Sequence, residues 1–470
     1  MMRVLFLKEI REAFASRRFW VVLILCLILI PLGVEVSLKD YQTRLQNYRE
    51  AVRIYQEQTK TASDLIYQGG AKAFAPPSPL NFLSLGLELV NPNIAESKYK
   101  SGEPPAVMRL INSQGRDNLY EFFYGPLDLV FAVAVVMSFL AVILTYGAIA
   151  GEKEQGTLRQ VLSNSVPRAE VLLAKAVANV LALLIPFLLA LAASLILIEV
   201  QGNPITAVLG AWTSIGLAII IAILFIGAFF NLALLVSSLT KQAVVALVAL
   251  LLLWVSLYGV YPRLSSAVAQ IVAPSKSEAR VALEKAQLRR NIQKERDAEI
   301  DHLNQTLPDD ITSPAAKEGM KTQEEIRNRY EAKLEEGWRA MDRDIEVREG
   351  KRNALAVAIA RLSPVTSFIR PMAELARTGR LEYEQFQGGV RRFEETLNRD
   401  IFGKYKMTLY KHAVLFDSAV LPVAAPVFTY VPAAPRAIVR DVLPDIVLLV
   451  LFNLVFFAGA FVAFLRYDVR

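Results

Sequence analysis

The chain has 470 residues, 54% of them apolar and 21% charged, an apolar share above the roughly 45–50% of soluble domains. Long charge-free runs alternate with densely charged stretches, a segregation that excludes one soluble core as the home of all the apolar residues. The net charge of +7 comes without a basic-aromatic groove pattern and so gives no support to nucleic-acid binding, while one cysteine (Cys26) and two isolated histidines (His302, His412) exclude an internal disulfide and offer no metal centre.

Residues 1–18 read as an amphipathic helix, with Phe6, Leu7, Ile10 and Phe14 set against Lys8, Arg11, Arg17 and Arg18. An apolar run follows over 19–36, and no small-residue cleavage box closes it, so no cleavable signal peptide is expected. A helix needs roughly 20 apolar residues to cross the hydrocarbon core. Five further segments meet that length: 127–150, 171–200, 209–236, 243–260 and 442–465. Pro186 in the third span is expected as a kink. The fold class is therefore mainly α: a polytopic membrane protein of about six transmembrane helices with a mostly helical extracytoplasmic domain.

Basic residues in short flanks set the orientation. Arg3, Lys8, Arg11, Arg17 and Arg18 precede the first span; Lys153, Arg159, Arg168 and Lys175 stand between the second and third; Lys241 lies between the fourth and fifth. Arg466 and Arg470 end the chain, whereas 199–208 has no Lys or Arg. Both termini, including the tail 466–470, are expected in the cytosol, leaving 37–126 and 261–441 outside.

In the first outer segment, 39–61 reads as a helix carried on from the membrane, with Leu45, Tyr48, Val52 and Tyr55 on one face. Pro76, Pro77 and Pro79 break the next stretch, 91–105 is turn-rich, and 119–126 leads back to the bilayer. The second outer segment opens with charged helices over 275–303 and 316–362, separated by a linker with Pro308, Asp309, Asp310 and Pro314. Their pattern predicts an antiparallel hairpin, with Glu325–Arg329, Glu335–Arg339 and Asp344–Arg348 as i,i+4 pairs. Helices over 365–377 and 382–402 follow, and 421–435 is expected to be extended.

The most informative passage is 151–170. Glu152 and Glu154 stand at the end of a span, where charge is costly to place without purpose. Gly156 permits a tight turn, Thr157 can cap a short amphipathic helix over 158–162, and Pro167 interrupts before the third span. The pattern predicts a short surface helix held between two spans by an acidic knuckle.

This passage resembles the ABC-2 type permease family, in which an acidic-x-acidic-x-Gly-Thr motif after the second span starts a coupling helix. Glu152, Glu154, Gly156 and Thr157 match it position by position, with Leu158 opening the helix. The resemblance extends to an interfacial elbow helix carrying Lys8, Arg11, Arg17 and Arg18, and to a short hairpin at 237–242. The insertion between spans five and six departs from many members. The stretch 362–386 is similar to a subgroup with large extracytoplasmic domains.

The resemblance implies a permease without catalytic residues that docks a separate ATPase carrying ATP and Mg, pairs with a second permease subunit, identical or not, and sits in the cytoplasmic membrane. No Gly-x-x-x-x-Gly-Lys-Ser/Thr occurs, so the chain has no such phosphate cradle of its own. Asn179 and Asn231 are expected as in-span polar groups serving a pathway or helix packing. An amphiphilic substrate (lipid, peptide, polysaccharide or drug-like) fits spans without mid-membrane charge. Two alternatives stand beside this reading: a membrane scaffold or sensor whose outer hairpin binds a partner, and an intramembrane enzyme, for which no catalytic pair is visible.

Overall fold

The computed structural model describes residues 2–61, 64–65, 70–88, 90–97, 108–111, 127–158, 160, 167–202, 210–274, 276–307, 314–397, 399, 408–410, 413–415 and 424–467. The expected lead-in over 119–126, the linker residues Pro308–Asp310, most of the loop after the third span, His412 and Arg470 lie outside them.

Among the described residues, six helices are long and apolar enough to cross a membrane. A short helix α1 (Met2–Ala15) precedes them and stops at Ser16, whose hydroxyl accepts from the N–H of Phe19 at 3.2 Å to start α2 (Arg17–Gln58). The second apolar helix, α3 (Leu129–Gln155), contains a π-helical stretch, Ala132–Met137. Where that stretch loosens the backbone, the Ser138 hydroxyl turns back to the carbonyl of Ala134 and accepts from the indole N–H of Trp254 at 2.9 Å. The third and fourth are α4 (Arg168–Val200), with Pro186 inside it, and α5 (Ala211–Leu239). The fifth apolar helix runs over Ala243–Val272, twelve residues beyond the expected end at 260. It comprises α6 (Ala243–Val255), a π-helical stretch Ser256–Val260, and α7 (Tyr261–Val272).

The chain divides into two compact units, one formed by Met1–Tyr258 with Ser363–Arg470, the other by Gly259–Leu362. In the first unit α5 is central. Its Phe225, Phe229 and Phe230 are buried, and it packs on α3, on α10 (Pro364–Leu375) and most extensively on α12 (Pro435–Leu465). The Asn231 amide donates to the Asn453 side chain of α12 at 2.9 Å, and the Asn453 amide donates to the Leu224 carbonyl at 2.8 Å. Gly227 makes this approach possible, since a Cβ there would stand 2.7 Å from the Asn453 oxygen.

The described residues from Ser363 onward fall in the same compact unit as the apolar helices. Phe368, Met372 and Leu375 of α10 are buried, and Phe368 stacks on Phe225 of α5 with centroids 4.4 Å apart. Arg370 of the same helix donates to Asp441 at 2.5 Å and to Asp445 at 3.1 Å; Asp445 is fully buried, three residues inside the expected sixth span. An apolar face and a cation matched to two carboxylates on α12 hold α10 against α5 and α12.

A small second core covers the far end of α2. Three short antiparallel strands, β1 (Lys72–Phe74), β2 (Ile94–Glu96) and β3 (Arg109–Ile111), pair through Ala73↔Ala95↔Leu110. Phe386, Val390 and Phe393 of α11 (Arg380–Leu397) pack with Leu65, Ala73 and Ala95 there. Residues 425–434 carry no regular structure, and a two-stranded hairpin joins β4 (Thr408–Tyr410) to β5 (Ala413–Leu415).

The second unit is α7 with a long hairpin, α8 (Glu278–Thr306) and α9 (Pro314–Ala360). Strong helix formers dominate both arms. Lys285 pairs with Asp342 at 2.6 Å and Lys333 with Glu295 at 2.6 Å, which fixes the arms as antiparallel. Of the expected i,i+4 pairs, Glu335–Arg339 (2.5 Å) and Asp344–Arg348 (2.9 Å) form, but Arg329 turns to Glu299 of the facing arm. Gly337 lets the arms close, since a Cβ there would meet Leu288 at 2.6 Å.

Candidate functional site: the acidic knuckle after the second span

The knuckle is the last helical turn of α3, Ala150–Gln155, with the residues that follow it. The turn breaks from the span at 146–149, which would orphan backbone N–H groups. The Ser237 hydroxyl of α5 accepts two of them, from Ile149 at 3.1 Å and Ala150 at 3.0 Å. Gly156 ends the turn at φ 75°, and a Cβ there would meet no atom within 4 Å. The glycine thus serves backbone conformation, as its sequence position suggested. The Thr157 hydroxyl donates to the Glu152 carbonyl at 3.4 Å, and Leu158 is buried. Of the expected surface helix over 158–162, only Leu158 and Gln160 lie among the described residues.

The two acidic side chains have different partners. Glu154 accepts from the Ala243 N–H at 3.0 Å and so caps the N-terminus of α6, a place where a carboxylate is favoured. Glu152 accepts from the ammonium of Lys175 at 2.7 Å. That ammonium also reaches both carboxylate oxygens of Glu9 on α1, at 3.1 and 3.2 Å. Lys175 and Glu9 are only 7% and 9% exposed, so these two charges meet in a largely dehydrated setting, with Glu152 at its rim. Lys153, between the acids, donates to the carbonyls of Ser238 and Thr240 at the end of α5, the latter at 3.1 Å, where a cation suits the helix dipole. Its ammonium also stands 4.9 Å from the ring centre of Tyr467, and Arg168 donates to the carbonyls of Leu465 and Tyr467 at 2.9 Å each.

One turn of helix therefore touches α4, α5, α6 and Tyr467 just past the end of α12, and reaches α1 through Lys175. Such a hub can pass a displacement at its surface to several spans through short, charged contacts.

Glu9, Lys175, Ser237 and Tyr467 belong to this site and were not singled out by the sequence. Lys175 was read as a border cation. Its signal was available: an ammonium in the first turns of an apolar helix asks for a buried partner. Glu9 gave only the hint of an acid in a basic helix.

Other expected residues lie elsewhere. Lys8 pairs with Glu12 at 3.4 Å in exposed positions, Arg11 and Arg17 are exposed, and Arg18 stands 5.7 Å from the ring centre of Tyr146. The Asn179 amide is spent on the Lys175 carbonyl of its own helix, at 3.0 Å. Asn231 joins α5 to α12 away from the knuckle. No group of three potential metal ligands occurs among the described residues.

The family model described as ABC-2 family transporter protein matches residues 3–377, from α1 through the end of α10. The chain belongs to the ABC-2 transporter family. Membership makes it a multi-pass membrane protein and a permease component of an ABC transporter. ABC-2 permeases are membrane components that are generally not catalytic themselves and generally work with an ATPase subunit. No curated protein matches the chain.

Proposed function

We propose that this ABC-2 permease receives the stroke of a separate ATPase subunit on Glu152, Glu154, Gly156, Thr157 and Leu158, and delivers it through Lys175 to α1 and α4 and through Glu154 to α6. The observation that carries the reading is the buried Glu9–Lys175–Glu152 cluster, which ties an amphipathic helix, the knuckle and a span at one point. ATP and Mg reside on the ATPase, and this chain binds neither. A second permease subunit completes the transport unit, in the cytoplasmic membrane with both termini cytosolic. The basic face of α1 with Lys8, Arg11 and Arg17 suits lipid phosphates. Spans whose polar groups pair with one another favour an amphiphilic cargo over an ion.

The test is ATP hydrolysis by the complex co-purified in detergent with the ATPase encoded beside it. Glu152→Ala with Glu154→Ala should leave insertion intact, since Glu9 still pairs with Lys175, and should lower hydrolysis severalfold. A folded double variant with unchanged hydrolysis would sink the proposal. Failure of any ATPase to associate with folded chain would move a scaffold role ahead of transport.

A further inference from the structure

At the far end of α2 from Ser16 the first unit carries a solvent-open cavity of about 440 Å³, within the roughly 300–1,000 Å³ of ligand sites. Arg44, Asn47 and Tyr48 line it from one face of α2. Glu88, Arg377, Glu382, Tyr383 and Tyr430 also line it.

Three features make this a built site. The first is Glu88. One carboxylate oxygen accepts from the Ser78 N–H at 3.1 Å; the other is 3.4 Å from the Arg44 guanidinium, buried, and accepts no hydrogen bond among the described residues. A buried charged acceptor in that state is costly unless something donates to it. Burial raises the Glu88 carboxyl above the usual range, while the Arg44 guanidinium and the Ser78 N–H oppose that rise.

The second is Arg377. Its φ of 58° lies in the left-handed region, and among the described residues it is the one non-glycine there. It follows the end of α10, a position that glycine normally takes. An arginine held there against strain places a guanidinium on the cavity wall, and strain of this kind collects at ligand sites.

The third is charge balance. Arg44 and Arg377 line the same space as Glu88 and Glu382, so its formal charges balance. A singly charged ligand would upset that balance, whereas a zwitterion keeps it. The Asn47 amide and the hydroxyls of Tyr48 and Tyr383 supply neutral partners for amide groups. Pro76, Pro77 and Pro92 at the strand ends have no N–H to offer, so recognition falls to side chains and not to strand addition.

We propose that this cavity binds a short zwitterionic peptide, a di- or tripeptide, whose ammonium group meets Glu88 and whose carboxylate meets Arg377. Peptide binding here stands or falls apart from the coupling mechanism above.

Isothermal titration of the full chain in detergent with trialanine, N-acetyl-trialanine and trialanine amide tests this. Trialanine should bind, and blocking either end should weaken it about tenfold or more, the loss of one charge-assisted hydrogen bond. Glu88→Gln should erase the preference for a free amino terminus and keep that for a free carboxylate. Arg377→Gly suits the left-handed backbone, should keep its melting temperature, and should show the reverse pattern. If Glu88→Gln fails to fold by circular dichroism, Arg377→Gly and the blocked peptides decide alone. Equal binding of all three peptides, heat from none of them, or displacement of trialanine by maltotriose would each overturn the proposal.

Discussion

The knuckle and the α8–α9 hairpin are built from the same residue types, acids paired with Lys or Arg, and use them in opposite ways. In the hairpin the ion pairs lie on an exposed surface. Arg329 exchanges its i,i+4 partner for Glu299 of the facing arm, and either partner would serve. At the knuckle, Lys175 is 7% exposed and its partners come from two other elements. Exposure makes a charge replaceable, because water stands in for a lost partner; burial makes it specific.

Substitutions sharpen that contrast. The largest effect is expected for Lys175→Met, which leaves Glu9 buried without its cation and should cost about 3–5 kcal/mol, read from thermal unfolding in detergent. Adding Glu9→Met should recover most of that loss, since Glu152 at the rim can turn to water. Full stability of the single variant would mean that the cluster is already wet. An intermediate effect is expected for Asn453→Ala, which removes the bonds to Asn231 and the Leu224 carbonyl; roughly 1 kcal/mol is typical of such in-span contacts. The smallest belongs to Arg329→Ala in the hairpin, whose melting temperature should stay within error and respond little to added salt. A clear loss there would show that the hairpin pairs act as a network.

The knuckle was legible in the sequence because its features are local. A glycine at a forced left-handed turn and an acidic pair at the end of an apolar run need no knowledge of distant residues. Glu9 and Lys175 were not legible as a pair, since 166 residues separate them. The α10 helix shows the same limit in packing. Its apolar face, Phe368, Met372 and Leu375, was visible at helical spacing, but the surface that receives it comes from α5 and α12. Asn453 was likewise missed, because its value depends on Gly227 of a helix more than two hundred residues away.

The sequence by itself determined a mainly helical, multi-pass membrane protein, the apolar helices among its described residues and the place of the acidic turn after the second of them. Hydrophobicity and helical periodicity are sums over neighbouring residues, so a one-dimensional reading suffices for them. Only the tertiary structure decided that α10 packs on α5 and α12, that Lys175 is buried between two acids, and that Arg44, Glu88 and Arg377 line one cavity. Each of these depends on which surfaces meet across long separations, where burial converts an ordinary charge into a specific one.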